Sequence, residues 1–230
     1  MTKALFLSII SLNEYSVNDK NIMPRNPKLN EQMRAESRRK ILATAVTLFS
    51  QQGFFNVRIS DIAEQAGMSP GNIYWYFSSK EEILATILKD YFDAFEQMLL
   101  QAEIAPGNAL NKVMRLIENQ ISMLDLYEEH VNIFMSILGH GGSSFLEELG
   151  IDPVAAGMRF HQHLQAILEG AIREGVIPAQ EPGVLAVFFF SFFNGMLITY
   201  RSGWKQIPPQ FITEAALRLL GFAGKYPPSI

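Results

Sequence analysis

Apolar side chains recur at helical spacing along most of this 230-residue chain, and no alternating pattern is long enough for a strand. The spacing predicts an all-α protein. Runs rich in Gly and Pro separate the periodic segments. The predicted longer helices cover about 34–52, 79–102, 108–126, 129–138, 153–174, 182–202 and 209–222.

Two short helices joined by a tight turn are predicted between the first two long ones. Ile62 and Ala66, at i and i+4, give the first short helix an apolar stripe. Gly67 suits a helix end, and Ser69 followed by Pro70 suits a helix start. This pattern is typical of a helix-turn-helix, whose second helix enters the major groove of DNA.

The second short helix has few inward positions. Only Ile73 and Phe77, at i and i+4, need to face a core. Its remaining side chains would face solvent or a partner, namely Asn72, Tyr74, Trp75 and Tyr76. For Tyr74 a core aromatic with an exposed hydroxyl is an equal alternative.

These residues resemble the DNA-binding domain of the tetracycline-repressor (TetR) family of bacterial transcriptional regulators. The family pattern is met by Ile62-Ala63, Ala66-Gly67, Ser69, Gly71-x-Ile73-Tyr74-x-x-Phe77 and Lys80-Glu81, preceded by Ile41-Leu42, Ala45, Leu48-Phe49 and Gly53-Phe54. The resemblance covers about residues 35–95. It implies an N-terminal three-helix DNA-binding domain and a C-terminal helical bundle for ligand binding and dimerisation. The expected domains are a disordered extension over 1–33, a DNA-binding domain over 34–80, a connecting helix over 81–104 and the bundle over 105–230.

The resemblance also implies a set of DNA contacts: Arg58, Ser60, Ser69, Pro70, Gly71, Asn72, Tyr74, Trp75, Tyr76 and Lys80. Two positions depart from the family. Many members have Thr or Ser as a helix cap where this chain has Arg58, so we expect Ser60 or Asn56 to cap, or the helix to begin later. Many members have His in place of Tyr76. Lys80 would meet a phosphate as a point charge.

The distribution of charge supports a nucleic-acid partner more than the total does. The net charge is −4, yet residues 24–80 carry four more basic than acidic groups and the rest of the chain carries −8. The absence of Cys excludes disulfides and thiol chemistry and suits the cytoplasm. Residues 1–22 only faintly resemble a signal peptide, because the apolar run is short and no cleavage site follows. We expect a disordered extension or an over-called start, with Met23 as the true start.

Residues 184–200 are almost wholly apolar. As a helix they would span about 26 Å, short of a bilayer core of about 30 Å, and Ser191, Asn194 and Thr199 also argue against a membrane span. The remaining interpretations are the core helix of a monomer or part of the four-helix dimer interface that the resemblance implies. The interface residues would be Phe188, Phe189, Phe192, Phe193, Met196, Phe211, Ala215 and Leu219.

An effector pocket is the least specific prediction. Met- and Phe-rich helices suit an adaptable apolar cavity, although each such residue also suits an ordinary core. The candidates are Met114, Ile117, Ile121, Phe134, Met135, Leu138, Met158, Leu164 and Asn194, with Asn119, Gln120, His130, His161 and Tyr200 as further polar contacts.

No motif indicates a catalytic residue, a cofactor or a metal. His161 and His163 lie about 200° apart on a helix and cannot share one metal ion. His140-Gly141-Gly142 lacks the nucleophile elbow that an esterase loop would need.

The sequence therefore predicts a cytoplasmic, homodimeric regulator that represses from a palindromic operator in double-stranded DNA. A small apolar or amphipathic effector would release it. The alternatives are an activator of the same family, or a small-molecule-binding protein whose helix-turn-helix is vestigial.

Overall fold

A computed structural model describes residues 27–139 and 142–224. The predictions for residues 1–22 and Met23, and those for His140, Gly141 and the side chain of Tyr200, lie outside this part. The chain divides into two compact units, Met1–Glu36 and Ser37–Ile230. All packing discussed below lies within the second unit.

The described residues form helices and no strand. The helices are α1 (Pro27–Gln52), α2 (Ile59–Ala66), α3 (Pro70–Tyr76), α4 (Lys80–Glu103), α5 (Ala109–Leu126), α6 (Glu128–Gly139), α7 (Ser143–Glu148), α8 (Pro153–Arg173), α9 (Pro182–Tyr200) and α10 (Pro209–Leu219). Short 3₁₀ turns cover Phe54–Asn56 and Arg201–Gln206. The all-α prediction is confirmed.

Four differences separate these bounds from the predicted ones, and one is that the helix predicted over 209–222 ends at Leu219. Helix α1 begins at Pro27 rather than near 34, so residues 27–33 are helical and do not belong to a disordered extension. Helix α7 was not predicted, because six residues are too few to show a helical period. The predicted helix over 182–202 ends at Tyr200, where a 3₁₀ turn begins.

Short polar side chains begin several of these helices. Ser79 accepts a hydrogen bond from the backbone N–H of Glu82, at 3.1 Å, at the start of α4. Asn108 and Asp152 cap α5 and α8 in the same way. Each such cap satisfies a backbone donor that has no partner inside its helix.

Two clusters of buried apolar side chains form the interior. The N-terminal core joins α1, α2 and α3 to the first half of α4, through residues such as Phe49, Ile62, Ile73 and Leu84. It also contains Ile133 and Ile137 of α6 and Leu146 of α7. The predicted N-terminal domain over 34–80 therefore does not have a separate core, since its core continues into α4, α6 and α7.

The C-terminal core lies among the second half of α4 and helices α5, α8, α9 and α10. Helix α9 buries one face against it, with Phe189 and Phe193 almost fully enclosed. Its other face is exposed, with Val187 and Phe188 more than half accessible. The chain alone thus leaves one face of its most apolar helix uncovered.

Candidate nucleic-acid interface

The turn between α2 and α3 is shaped by one glycine. Gly67 has φ +65°, a left-handed conformation that side chains disfavour. The N–H of Met68 then reaches back to the carbonyl of Ala63 at 2.8 Å, and that of Gly67 bonds to Glu64 at 3.0 Å. This closure ends α2 and points the chain into α3.

Helix α3 presents most of its surface outward. Ser69 caps it by accepting the N–H of Asn72 at 3.2 Å, while Ile73 lies in the N-terminal core. The exposed side includes Asn72, together with Tyr74 and Trp75, which are 56% and 59% accessible. The alternative of Tyr74 as a core aromatic is therefore wrong.

Tyr76 differs from its neighbours on α3. Its ring is half-buried against the N-terminal core and meets Trp75 edge to face, with ring centroids 4.6 Å apart. It can offer only part of its surface to a partner. Ser69, Pro70 and Gly71, also predicted as contacts, are exposed at the start of the helix.

Helix α2 begins directly after Arg58, and its cap was not predicted. The carboxylate of Asp61 accepts the backbone N–H of Arg58 at 2.8 Å, which is one half of a capping box, while the Arg58 side chain accepts no hydrogen bond from the helix. Neither Ser60 nor Asn56 caps the helix, since the Ser60 hydroxyl donates to Asp61 and the Asn56 amide donates to the carbonyl of Gln52. Arg58 and Ser60 both remain exposed on the surface.

Lys80 makes hydrogen bonds inside the chain that the sequence did not predict. Its ammonium donates to the carbonyls of Phe54 and Val57, each at 2.8 Å, and lies 4.3 Å from the centroid of the Phe54 ring. Burial lowers the pKa of Lys80, while Glu81 and Asp61 act to raise it. Two of the three N–H donors are thus used inside the chain, and Lys80 ties α4 to the turn before α2 instead of projecting as a point charge.

The carboxylate of Glu82 also bonds differently from a standard capping box. It accepts the backbone N–H and the hydroxyl of Ser78, at 2.6 and 2.7 Å, rather than the N–H of Ser79. These two hydrogen bonds lower the pKa of Glu82, with Arg38 adding a smaller effect and desolvation opposing them. The same Arg38 guanidinium lies 4.9 Å from the centroid of the Phe77 ring.

An open groove of about 730 Å³ lies beside α3. We call it the N-terminal groove, because the first residues of α2, α3 and α4 line it. Its residues are Phe55, Asn56, Val57, Arg58, Ile59, Ser60, Pro70, Tyr74, Ser78, Ser79, Lys80 and Glu81. Helix N-termini and an arginine guanidinium donate to anionic oxygens, so the groove has donors that suit a phosphate.

The predicted effector residues are spread over different environments. Asn194 lines a void of about 20 Å³ between α4, α5, α6 and α9, whereas Met114, Ile117, Ile121 and Leu164 pack within the C-terminal core. Phe134 and Leu138 pack against the N-terminal core instead. Met135 and Met158 are 37% and 61% exposed and do not line the interior, contrary to the prediction.

The other polar residues predicted for the effector pocket also lie in different places. Gln120 lines the void, His130 packs against the Tyr91 ring of its wall, and Asn119 bonds the carbonyl of Met98. His161 lies elsewhere on α8.

The predicted interface residues fall into two groups. Phe188, Phe211, Ala215 and Leu219 are exposed on α9 and α10. Phe192 and Met196 are partly buried, while Phe189 and Phe193 lie in the core of their own protomer and have no surface for a partner.

Two further properties concern only the described part of the chain. Residues 27–139 and 142–224 contain no cluster of three or more His, Asp or Glu side chains that could hold a metal ion. His163 instead pairs with Glu103 of α4, with 2.6 Å between Nδ1 and Oε2. Within the same ranges, no helix has the length and apolar character needed to cross a membrane.

The fold and this exposed α3 define a helix-turn-helix DNA-binding protein. The family model for bacterial regulatory proteins of the tetR family matches residues 41–87. The chain is 24% identical over 170 residues to the HTH-type transcriptional regulator TtgR of Pseudomonas putida, covering 70% of this chain and 79% of TtgR. It is 43% identical over 72 residues to the HTH-type transcriptional regulator HbdR of Aromatoleum, covering 31% of this chain and 30% of HbdR.

Solved structures have the same fold. The regulator AibR, whose crystal structure contains isovaleryl coenzyme A and operator DNA, superposes with a TM-score of 0.62 at 18% identity, over 81% of this chain and 99% of AibR. The chain thus carries a DNA-binding domain of the tetR family and is a transcriptional regulator of the helix-turn-helix type.

Proposed function

We propose that this protein is a homodimeric repressor that binds a palindromic operator in double-stranded DNA and leaves it when a small molecule binds the C-terminal core. The observation that carries the DNA-binding face is the exposed side of α3. Tyr74 and Trp75 are large aromatic side chains that the chain leaves more than half accessible, beside Asn72. Such exposure next to a helix-turn-helix favours a partner surface.

Helix α3 reads the bases in this proposal. The Asn72 amide can bond two edge atoms of adenine, and the rings of Tyr74 and Trp75 can contact thymine methyl groups or the sugar backbone. Gly71 has no side chain, so the backbone at the start of α3 can approach the DNA closely. The space beside it is open, because an added Cβ would meet only Ser69, at 3.9 Å.

The N-terminal groove holds the phosphate backbone. Arg58 supplies its positive charge. Because Lys80 is already engaged with two carbonyls, Arg58 takes the phosphate role that Lys80 was predicted to have.

The exposed faces of α9 and α10 join two copies of the chain. Val184, Val187, Phe188 and Ile198 are 49–56% accessible along α9, while Phe211 and Leu219 are exposed at helical spacing along α10. Two helices from each copy would bury these residues as a four-helix interface. A symmetric pair places two α3 helices to read half-sites about 34 Å apart, one turn of DNA.

Release by an effector follows the same logic as in any two-state protein. A ligand that binds the operator-incompetent state more tightly shifts the population towards it. The presence of both a small molecule and operator DNA in the AibR structure supports a regulator of this fold that responds to a ligand. Repression in the cytoplasm is the simplest outcome of a dimer occupying a promoter.

The proposal is tested by selecting bound sequences from a random DNA library with the purified full chain. We expect enrichment of an inverted repeat whose half-sites lie one turn apart, with Asn72→Ala reducing the enrichment. Recovery of unrelated sequences, or of single asymmetric sites, would contradict a dimer reading a palindrome. A promoter reporter carrying the selected site would then separate repression from activation.

A further inference from the structure

A buried amide nitrogen in the C-terminal core has no hydrogen-bond partner among the described residues. Gln120 is 3% exposed on α5, among apolar residues, and its amide Nε2 makes no hydrogen bond within the described part of the chain. A buried amide left in this state costs about 1–3 kcal/mol. A side chain buried at that cost calls for a hydrogen-bond partner, and Gln120 lines the void between α4, α5, α6 and α9.

Asn194 of α9 lines the same void with complementary chemistry. Its Nδ2 donates to the carbonyl of Phe190, at 2.9 Å, which leaves the amide oxygen as its acceptor. Gln120 therefore offers a donor and Asn194 an acceptor. A hydroxyl group satisfies both at once, because it accepts one hydrogen bond and donates another.

The other lining residues of the void are aliphatic, aromatic or Met, and none carries a charge. Tyr91, Phe95, Phe190 and Phe193 provide aromatic rings, and Met123 provides a flexible side chain. No acidic or basic residue is among its lining residues. A charged ligand would lose its hydration here without gaining a counter-ion.

His130 is a titratable residue that contacts the wall of the void. It stacks on the Tyr91 ring, with 6.0 Å between centroids, and its buried Nδ1 has no hydrogen-bond partner among the described residues. Burial lowers the pKa of His130, so it supplies no cation near neutral pH. This again favours an uncharged ligand.

We propose that this void is the closed form of the effector site and that the effector is an uncharged aromatic compound with a hydroxyl group, held between Gln120 and Asn194. The inference rests on the proposed function, since it names the effector class of that regulator. At about 20 Å³ the void admits no more than a water molecule. The ligand must therefore displace side chains of the void's walls, and the occupied state differs from this one.

The displaced walls connect directly to the DNA-binding half. Val131 of α6 lines the void, while Ile133 and Ile137 of the same helix lie in the N-terminal core. Likewise Tyr91 of α4 lines the void, and Leu84 and Leu88 of that helix lie in the N-terminal core. Opening the void moves two helices that help to hold α3, which gives the ligand a route to operator affinity.

The experiment compares three probes of one shape by isothermal titration calorimetry with the full chain: 2-naphthol, naphthalene and 2-naphthoate. We expect 2-naphthol to bind at least tenfold more tightly than naphthalene, because only the hydroxyl satisfies Gln120, and 2-naphthoate to bind most weakly. Equal affinity for 2-naphthol and naphthalene, or preference for 2-naphthoate, would overturn the proposal.

The variant Gln120→Leu removes the amide at nearly constant volume. It should abolish the preference for 2-naphthol over naphthalene and leave the melting temperature equal or higher, since it removes an unsatisfied group. The exposed Gln97→Leu on α4 is the matched control and should bind like wild type. A lower melting temperature with unchanged selectivity would instead mean that Gln120 holds a structural water.

Operator binding measured in parallel distinguishes a failure of the proposed effector class from a failure of the proposed function. If the selected operator is bound specifically while 2-naphthol neither binds nor releases it, this effector class is wrong and the regulator proposal stands. If no specific operator exists, the proposed function itself fails, whatever the calorimetry shows. If Gln120→Leu does not fold, the ranking of the three probes on the wild-type protein still decides.

Discussion

At the scale of single residues, the local chemistry around the turn before α2 is set by long-range contacts. Lys80 joins the start of α4 to carbonyls 26 and 23 positions earlier in the chain. The sequence shows a Lys at the right place for DNA contact, yet no local pattern reveals those partners. The resemblance therefore predicted the position but not the role.

Replacing Lys80 tests this role. Lys80→Met should lower the free energy of unfolding by about 1–3 kcal/mol, because two carbonyls lose a donor and the Phe54 ring loses its cation. Denaturant unfolding followed by circular dichroism measures the change. Lys89→Met, exposed further along α4, should change little and serves as the control. A Lys80→Met variant that is as stable as wild type but binds DNA more weakly would instead support a contact between Lys80 and a DNA phosphate.

His130 gives a pH dependence of stability. Its folded pKa lies below the ordinary value of 6.5, so the unfolded chain takes up a proton first as the pH falls. The contribution of neutral His130 is thus present above pH 6.5 and is lost as the pH drops towards the folded pKa. Melting temperatures between pH 8 and 5 should fall less for His130→Phe than for wild type. Identical pH profiles would show that His130 does not titrate differently on folding.

At the scale of elements, the short helices around the turn follow from the sequence more directly than the packing does. Gly67, Ser69 and Ser79 act locally, so their places at helix ends are visible in the chain. Helix α7 is different. It exists because Leu146 enters the N-terminal core and Phe145 packs on Phe54, with ring centroids 5.5 Å apart, and tertiary contacts of this kind leave no periodic pattern.

The conformational role of Gly67 in the turn can be tested by substituting alanine, which adds one methyl group. Gly67→Ala should cost about 1–2 kcal/mol, because φ of +65° is unfavourable for a residue with a Cβ. The nearest atom to that Cβ is Lys40 Nζ at 3.9 Å, so steric overlap adds nothing. Gly157→Ala, inside α8 with open space around it, should instead stabilise by about 0.5–1 kcal/mol. Chemical denaturation compares both, and an unaffected Gly67→Ala would contradict this geometry.

At the scale of the whole molecule, the two exposed stripes on α9 and α10 carry the proposal of a dimer. The sequence predicted an interface in this region, but the wholly apolar pattern of residues 184–200 could not show which face turns inward. In the structure one face of this helix, with Phe189 and Phe193, is buried in the core, and the other face, with Val187 and Phe188, is exposed. Which face of such a helix is buried depends on the helices packed against it, and the sequence alone does not show their positions.

A charge on the exposed face tests the dimer. Phe188→Glu should give monomers by light scattering after size exclusion and should reduce operator affinity by at least tenfold, because a carboxylate cannot be buried unpaired at an apolar interface. Met158→Glu, also exposed and apolar but on α8, should leave both properties unchanged. A dimeric Phe188→Glu variant would move the interface elsewhere.

The measurement that tests the central claim most directly is fluorescence anisotropy of the selected operator and a scrambled duplex, titrated with wild type and Asn72→Ala at several salt concentrations. We expect tight wild-type binding that weakens with salt and strongly prefers the operator. Asn72→Ala, missing one base contact of about 1–3 kcal/mol, should lose part of that preference while keeping its salt slope. Equal wild-type affinity for both duplexes, or an unchanged preference in the variant, would contradict the assignment of α3 as the element that reads DNA.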